Sequence, residues 1–170
     1  LIAEIAESEQ RLAEALAVYR SIDRASPLSW SAQLRAAEVL DQLDRTDEAV
    51  SELKRMAAER PDAAQPLIEL GDILRGRNRF TDAVAAYDGA MARLEPVDGR
   101  YWSLYYSRGI ALERSGQWPR AESDFLRALE LQSDQPLVLN YLGYSWVEKR
   151  QHLDRALKMI ERAVELRPND

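Results

Sequence analysis

Apolar residues recur along this chain at the three- and four-residue spacing of amphipathic helices. Leu67, Leu70 and Leu74 fit one face of a helix, and Ala83 and Tyr87 fit the face of the next one. The same spacing returns along the chain, and no segment alternates apolar and polar residues over the length of a strand. The pattern therefore predicts an all-α fold in which pairs of helices are joined by tight turns.

Small residues add a longer period to this pattern. The first helix of each predicted pair carries one of them, in the order Ala3, Ala37, Gly71, Gly109 and Gly143. Neighbours in this series are 34 residues apart, except that Gly109 follows Gly71 by 38. An alanine follows 12 residues later in three pairs, but 13 later in the last, which predicts one extra residue in that turn. Since one helix pair is too small to bury its apolar faces, stacking of neighbouring pairs must supply the core.

We interpret the small residues as packing residues rather than ligand contacts. At the closest crossing of two helices, a side chain longer than methyl would push the helices apart. On this basis Gly71 is expected to face Ala83, and Gly109 to face Ala121. Thr46 is expected to cap the N-terminus of its helix.

This pattern resembles the tetratricopeptide repeat family, whose unit is a helix-turn-helix of 34 residues. The clearest match is carried by Leu139, Leu142, Gly143, Trp146, Ala156, Ile160, Ala163 and Pro168. Arg108 departs from the family pattern, which usually has an apolar residue there. The resemblance implies an all-α, right-handed superhelical α-solenoid of about five stacked repeats. A single array is expected over residues 1–170, with repeats at about 1–29 (partial), 30–63, 64–97, 102–135 and 136–170 and a linker at 98–101. Repeat 1 is expected to begin inside its first helix.

Composition and charge narrow the range of partners. Hydrophobic residues make up 46% of the chain and charged residues 31%, which is typical of a folded protein. The net charge of −6 is opposite in sign to what affinity for nucleic acid or an anionic membrane requires. The absence of cysteine excludes disulfides and thiolate metal sites, and a single histidine, His152, excludes a multi-histidine site. The most apolar stretch, 136–147, is too short to span a bilayer. We therefore predict no metal, no cofactor, no nucleic acid and no membrane insertion of this segment.

Motifs that carry catalytic chemistry are missing from the sequence. There is no phosphate-binding loop, no GxGxxG, no HExxH and no GxSxG. Carboxylates such as Glu38, Asp41, Glu69 and Asp72 could in principle form an acid–base pair, but they are better explained as solvated helix faces. His152 is interpreted as an exposed turn residue. The sequence therefore predicts a protein that is not an enzyme, with no catalytic residue.

The family resemblance also implies where a partner would bind. In tetratricopeptide arrays the first helix of each repeat lines a concave groove, so the binding residues here would lie beside the packing face of each first helix. These residues are Leu34, Glu38, Asp41, Ile68, Asp72, Arg75, Tyr106, Ile110, Glu113, Asn140, Tyr141, Tyr144 and Val147. Glu38 and Asp72 would repel a terminal carboxylate, which argues against the carboxylate clamp found in some relatives. Tyr106, Tyr141 and Tyr144 suit recognition, although Tyr106 and Tyr144 could instead pack against each other.

We therefore expect a noncatalytic interaction scaffold that holds a peptide or protein partner in its groove. The alternative is a structural module for self-association or assembly within a larger protein. Weak self-association is expected through the C-terminal edge, because the last repeat has no polar capping helix after it. The apolar residues of that edge are Leu153, Leu157, Ile160 and Val164.

The chain begins at Leu1 rather than methionine, so we expect it to be a piece of a longer protein. Its last segment, 139–170, is similar to repeats in proteobacterial tetratricopeptide proteins. Some of those relatives are exported lipoproteins that act as adaptors for periplasmic proteases. The resemblance implies a bacterial protein, located in the cytoplasm or in the periplasm as part of a membrane-anchored precursor.

Overall fold

The computed structural model describes residues 2–94 and 98–167, with side chains from residue 10 onward. These residues form α-helices and one short 3-10 helix, Gly99–Tyr101, and no strand. The α-helices are α1 Ile2–Ser21, α2 Ser29–Gln42, α3 Thr46–Glu59, α4 Gln65–Gly76, α5 Phe80–Ala92, α6 Trp102–Arg114, α7 Trp118–Leu131, α8 Pro136–Glu148 and α9 Leu153–Leu166. The all-α helical-repeat fold predicted from the sequence is confirmed over the described ranges.

The helices form two compact units. In the N-terminal unit, Leu1–Glu95, α1 packs against α2, α2 against α3, α3 against α4 and α4 against α5. In the C-terminal unit, Pro96–Asp170, the pairs α6–α7 and α8–α9 pack internally, and α7 contacts α8. The single array over 1–170 and the bounds of the individual repeats stay predictions. Pro168 and the repeat ends placed at residues 1, 97 and 170 lie outside the described residues.

Repeat 1 was expected to contain the end of a first helix followed by a second helix, but the structure shows one helix in this segment. Helix α1 runs without a break from Ile2 to Ser21, so this repeat supplies one helix instead of parts of two. The physical reason lies in the local sequence. Residues 2–21 contain no glycine and no proline, and they are rich in alanine, leucine and glutamate, which favour a continuous helix.

The turns inside the helix pairs follow one plan. Three residues separate the helices of the first three pairs, and each of these turns contains one residue in the left-handed region: Asp44, Asn78 or Gly116. This conformation lets the chain reverse directly after the first helix. The α8–α9 turn has four residues, as the spacing predicted, and two of them, Arg150 and His152, have positive φ angles of 54° and 44°.

The predicted linker at 98–101 is partly helical. It contains the 3-10 helix, which leads directly into α6. The Asp98 carboxylate accepts a hydrogen bond from the backbone N–H of Arg100 at 2.9 Å. This bond satisfies a donor that the short helix leaves open at its start.

Two glycines of the first helices, Gly71 and Gly109, lie beneath aromatic rings. A Cβ atom added at Gly71 would collide with the ring of Tyr87, and one added at Gly109 would lie 2.7–3.0 Å from the ring of Phe125. The rings supply the nearest atoms, and the predicted partners Ala83 and Ala121 are both fully buried. In each pair the ring lies one helical turn beyond the alanine, and it fills the space that the glycine leaves open. Close packing remains the reason for the glycine.

Candidate functional site

One cleft in the C-terminal unit brings together several residues that the sequence analysis predicted for the groove. It lies between α6 and α8, is open to solvent and has a volume of about 310 Å³. We call it the tyrosine cleft, and its lining residues are Tyr106, Glu113, Arg114, Leu137, Asn140, Tyr141, Tyr144, Ser145 and Glu148. Five of these were predicted as partner-binding residues: Tyr106, Glu113, Asn140, Tyr141 and Tyr144. Four were missed: Arg114 follows Glu113 on α6, and the positions of Leu137, Ser145 and Glu148 on α8 beside the tyrosines could have indicated them.

The tyrosine cleft has an aromatic floor held by packing. The ring of Tyr106 meets that of Tyr141 edge to face, with centroids 6.0 Å apart and an interplanar angle of 89°. Both rings also contact buried Phe125 of α7, at 6.1 Å and 5.1 Å between centroids. Because the floor rests on the helix core, its side chains lose little conformational entropy when a ligand binds.

Polar groups at the floor are fixed as well. The Tyr141 hydroxyl donates a hydrogen bond to the Glu113 carboxylate at 3.3 Å. Burial raises the pKa of Tyr141 to about 12, and the nearby Glu113 carboxylate contributes to the same shift. The phenol therefore keeps its proton at neutral pH and remains a hydrogen-bond donor.

The rim of the cleft is exposed. Tyr144 is 54% exposed, and it makes no ring contact with Tyr106 or another described residue. Two further predicted residues, half-buried Ile110 and exposed Val147, lie on the same two helices outside the cleft lining. Tyr144 therefore offers free apolar surface beside the floor.

The predicted binding residues of the N-terminal unit are mostly engaged within the chain. The Glu38 carboxylate pairs with Arg35 at 2.7 Å. The Asp72 carboxylate accepts a hydrogen bond from buried Tyr87 at 2.7 Å, and Arg75 donates to the same tyrosine oxygen at 3.2 Å. Leu34 and Ile68 are half-buried. This acidic half of the predicted groove therefore has fewer open hydrogen-bonding groups than its sequence suggested.

Asp41 belongs to a structural cluster at the helix ends. Its carboxylate accepts hydrogen bonds from Arg77 at 2.8 Å and from the Thr46 hydroxyl at 2.6 Å. Thr46 is the first residue of α3 and makes no N-cap bond, so its predicted capping role is wrong. Arg45 occupies the N-cap position instead, one residue before Thr46, and the Thr46 hydroxyl donates its hydrogen bond to the charged Asp41 carboxylate.

Glu69 is half-buried, in contrast to the solvated face predicted for it. Burial raises the pKa of its carboxyl, a hydrogen bond from Gln65 opposes the rise, and the negative charges of Glu38 and Asp72 add to it. Carboxylates of both α2 and α4 therefore contribute to the raised pKa of Glu69.

Arg108 has a structural role that its sequence position only suggested. Its guanidinium makes two hydrogen bonds to the Asp124 carboxylate, at 2.7 Å and 2.8 Å. The two side chains are 17% and 7% exposed, so the pair is largely removed from water. The corresponding residues of α8 and α9 are apolar, Leu142 and Met159. The α6–α7 pair thus has an ion pair at the positions where the α8–α9 pair has two apolar residues.

His152 lies mostly exposed in the α8–α9 turn, as expected, with its ring 4.8 Å from that of Trp146. The described residues contain no group of three or more His, Asp or Glu side chains arranged to hold a metal ion. Within the same residues, no helix combines the length and apolar character needed to cross a membrane.

Comparison with known proteins agrees with this architecture. The chain is 26% identical over 170 residues to TPR repeat-containing protein PA4667 of Pseudomonas aeruginosa, and this match covers 99% of the chain. It spans only about 28% of that relative's length. Among solved structures, a crystal structure of MamA matches with a TM-score of 0.75 and 18% identity, over 97% of this chain and 94% of that one. MamA from Desulfovibrio magneticus RS-1 matches with a TM-score of 0.76 and 21% identity, over the same shares.

Family models extend the match along the sequence. A tetratricopeptide repeat model matches residues 68–136 and 106–170, which together exceed half of the chain. A second tetratricopeptide repeat model matches residues 6–68. The chain therefore belongs to the tetratricopeptide repeat family.

Proposed function

We propose that this chain is a noncatalytic interaction module that holds a peptide or protein partner, with the tyrosine cleft as its principal contact. Family membership supports a role in protein interaction. The remaining predicted groove residues of α6 and α8, Ile110 and Val147, would extend the contact beside the cleft. The chain spans about 28% of the length of its relative, so the partner of the whole protein is also part of this proposal.

One observation carries the proposal: five residues predicted for the groove line the same open cleft. Its floor is packed and its rim tyrosine is exposed, which is the arrangement that gives aromatic residues a large share of binding energy. The carboxylates of the N-terminal unit are by contrast already paired within the chain. The C-terminal unit is therefore the better candidate for the partner contact.

Changing Tyr106 and Tyr144 together to alanine is expected to weaken partner binding by about 2 kcal/mol or more, which is roughly a thirtyfold loss of affinity. The change removes the aromatic contact area and leaves the helix pairs in place. An affinity pull-down with the chain as bait supplies the partner, and calorimetry measures the affinity. Tyr105→Ala on the same helix, outside the cleft lining, is the matched control. Unchanged affinity of the double variant, with an intact helical circular dichroism spectrum, would move the site elsewhere.

Self-association is the second candidate function, and a specific feature of α9 favours it. Leu157 and Val164 are 58% and 55% exposed, and Leu153 is 54% exposed. The residues at the positions of Leu157 and Val164 in α3, Val50 and Ala57, are buried, and α3 packs against the following helix. In α3 the face that corresponds to the exposed face of α9 is therefore covered by another helix, α4. We propose that a second copy covers it in solution.

Light scattering across a concentration series should show weak, concentration-dependent self-association that Leu157→Glu abolishes. Burial of ~200 Å² of apolar surface stabilises a contact by roughly 5 kcal/mol before the cost of association, so the complex is weak. Leu28→Glu, a change at an exposed leucine outside α9, should leave the association intact. A strictly monomeric wild-type chain at high concentration would contradict this second candidate.

A further inference from the structure

We infer that the tyrosine cleft selects a peptide segment in which a lysine or arginine lies within about five residues of a large apolar side chain. This inference rests on the proposed function and adds the chemistry of the ligand. It follows from the distribution of charge and apolar surface along α6 and α8.

One end of the cleft is negative. Glu113 and Glu148 both line it and lie at the C-terminal ends of their helices, because α6 ends at Arg114 and α8 ends at Glu148. The last carbonyl groups of a helix carry partial negative charge, which adds to that of the two carboxylates. Arg114 is the one basic residue of the lining, so two carboxylates stand against one guanidinium and the charge of this lining is net negative. This end of the cleft therefore favours a cation.

The other end of the cleft is apolar. Leu137, near the start of α8, is exposed and lines the cleft close to the rings of Tyr141 and Tyr144. Leu137 and Glu148 are eleven residues apart on one helix, which corresponds to about 16 Å along its axis. An extended peptide covers that length in about five residues. A peptide with a basic side chain near one end and an apolar side chain near the other would thus reach both ends of the cleft at once.

The aromatic floor is also better suited to a cation than to an anion. The faces of tyrosine rings attract ammonium and guanidinium groups. The rings of Tyr106 and Tyr141 both line the cleft, and they stand at 89° to each other. The hydroxyl of Tyr141, which could have served as a donor to an anion, already donates to Glu113. A carboxylate ligand would therefore meet two negative side chains and lose this donor.

A phage-displayed library of random dodecapeptides, selected on the full chain, tests the inference. Selected peptides are expected to combine lysine or arginine with an apolar residue at the spacing given above. The tightest peptide is then synthesised, and calorimetry compares it with its analogue in which the basic residue is glutamine. We expect the analogue to bind about tenfold more weakly, since a charge-assisted hydrogen bond is lost.

Glu113→Gln should weaken the binding of the original peptide and leave the affinity of the glutamine analogue nearly unchanged. The effects of the two changes would then not add, which shows that Glu113 and the basic residue interact. Glu161→Gln, the same change at an exposed residue of α9 outside the cleft lining, should have no effect. Some selected peptides are expected to lose affinity for the variant that combines Tyr106→Ala with Tyr144→Ala. If those peptides lack basic residues, carry acidic ones, or bind equally well after the glutamine exchange, the inference is wrong and the proposed function stands. If no selected peptide responds to Tyr106→Ala with Tyr144→Ala, both are wrong.

Discussion

Replacing Asp124 with alanine is expected to lower the free energy of unfolding by about 3–5 kcal/mol. The change leaves the Arg108 guanidinium, 17% exposed, without the carboxylate that accepts two of its hydrogen bonds. The guanidinium keeps its desolvation cost after it has lost this opposite charge. Urea denaturation followed by far-UV circular dichroism measures the loss.

Two further variants separate this effect from a general effect of charge. Glu130→Ala removes the partner of Arg127, but that pair is exposed, so a loss below about 1 kcal/mol is expected. Changing Arg108 to leucine and Asp124 to methionine places the residues of the α8–α9 pair in the α6–α7 pair. This double variant should regain most of the stability that Asp124→Ala loses. A loss below 1 kcal/mol for Asp124→Ala would show that Arg108 reaches solvent.

Replacing Gly109 with leucine is expected to cost about 3 kcal/mol, at the upper end of the range for overpacking. A single added Cβ atom would already lie 2.7 Å from the ring of Phe125, and the remaining leucine atoms need still more room. Phe125 is fully buried, so its ring cannot move aside without disturbing the core. The α6–α7 pair must therefore separate, and the urea midpoint should fall.

Gly76→Leu is the matched control. Gly76 is also a helical glycine, but no atom lies within 4 Å of a Cβ added there. Its replacement should be neutral or slightly stabilising, since glycine is a poor helix former. Equal losses for the two leucine variants would contradict a packing origin for the first.

Local features of the fold followed from sequence alone. The apolar spacing predicted the helices, and the 13-residue step from Gly143 to Ala156 predicted the longer α8–α9 turn. These features depend on residues close together in the chain, so a linear pattern contains them. The pattern did not show that Tyr87 and Phe125 lie over Gly71 and Gly109, because the rotation of one helix against the other determines which residue lies over a glycine.

The candidate site was predicted only in part, because a linear pattern shows the helix on which a residue lies but not its neighbours on other helices. Residues on α6 and α8 were placed correctly on their helices, and the structure brings five of them to one cleft. On the N-terminal side, the predicted groove residue Asp72 accepts a hydrogen bond from Tyr87 of another helix. No linear pattern shows that bond, since it joins residues of different helices. That these groove residues bind a partner stays a prediction.

The sequence by itself determined the helical repeat, the positions of its turns and the family, because each is encoded in short-range spacing. The tertiary structure alone decided that Arg108 finds Asp124, that Tyr141 is held beneath the cleft and that Tyr144 remains exposed. Side chains on the same kind of helix face become core or surface only when a neighbouring helix covers them or leaves them open. Burial, and with it the energy of every polar contact, is therefore a property of the packed molecule.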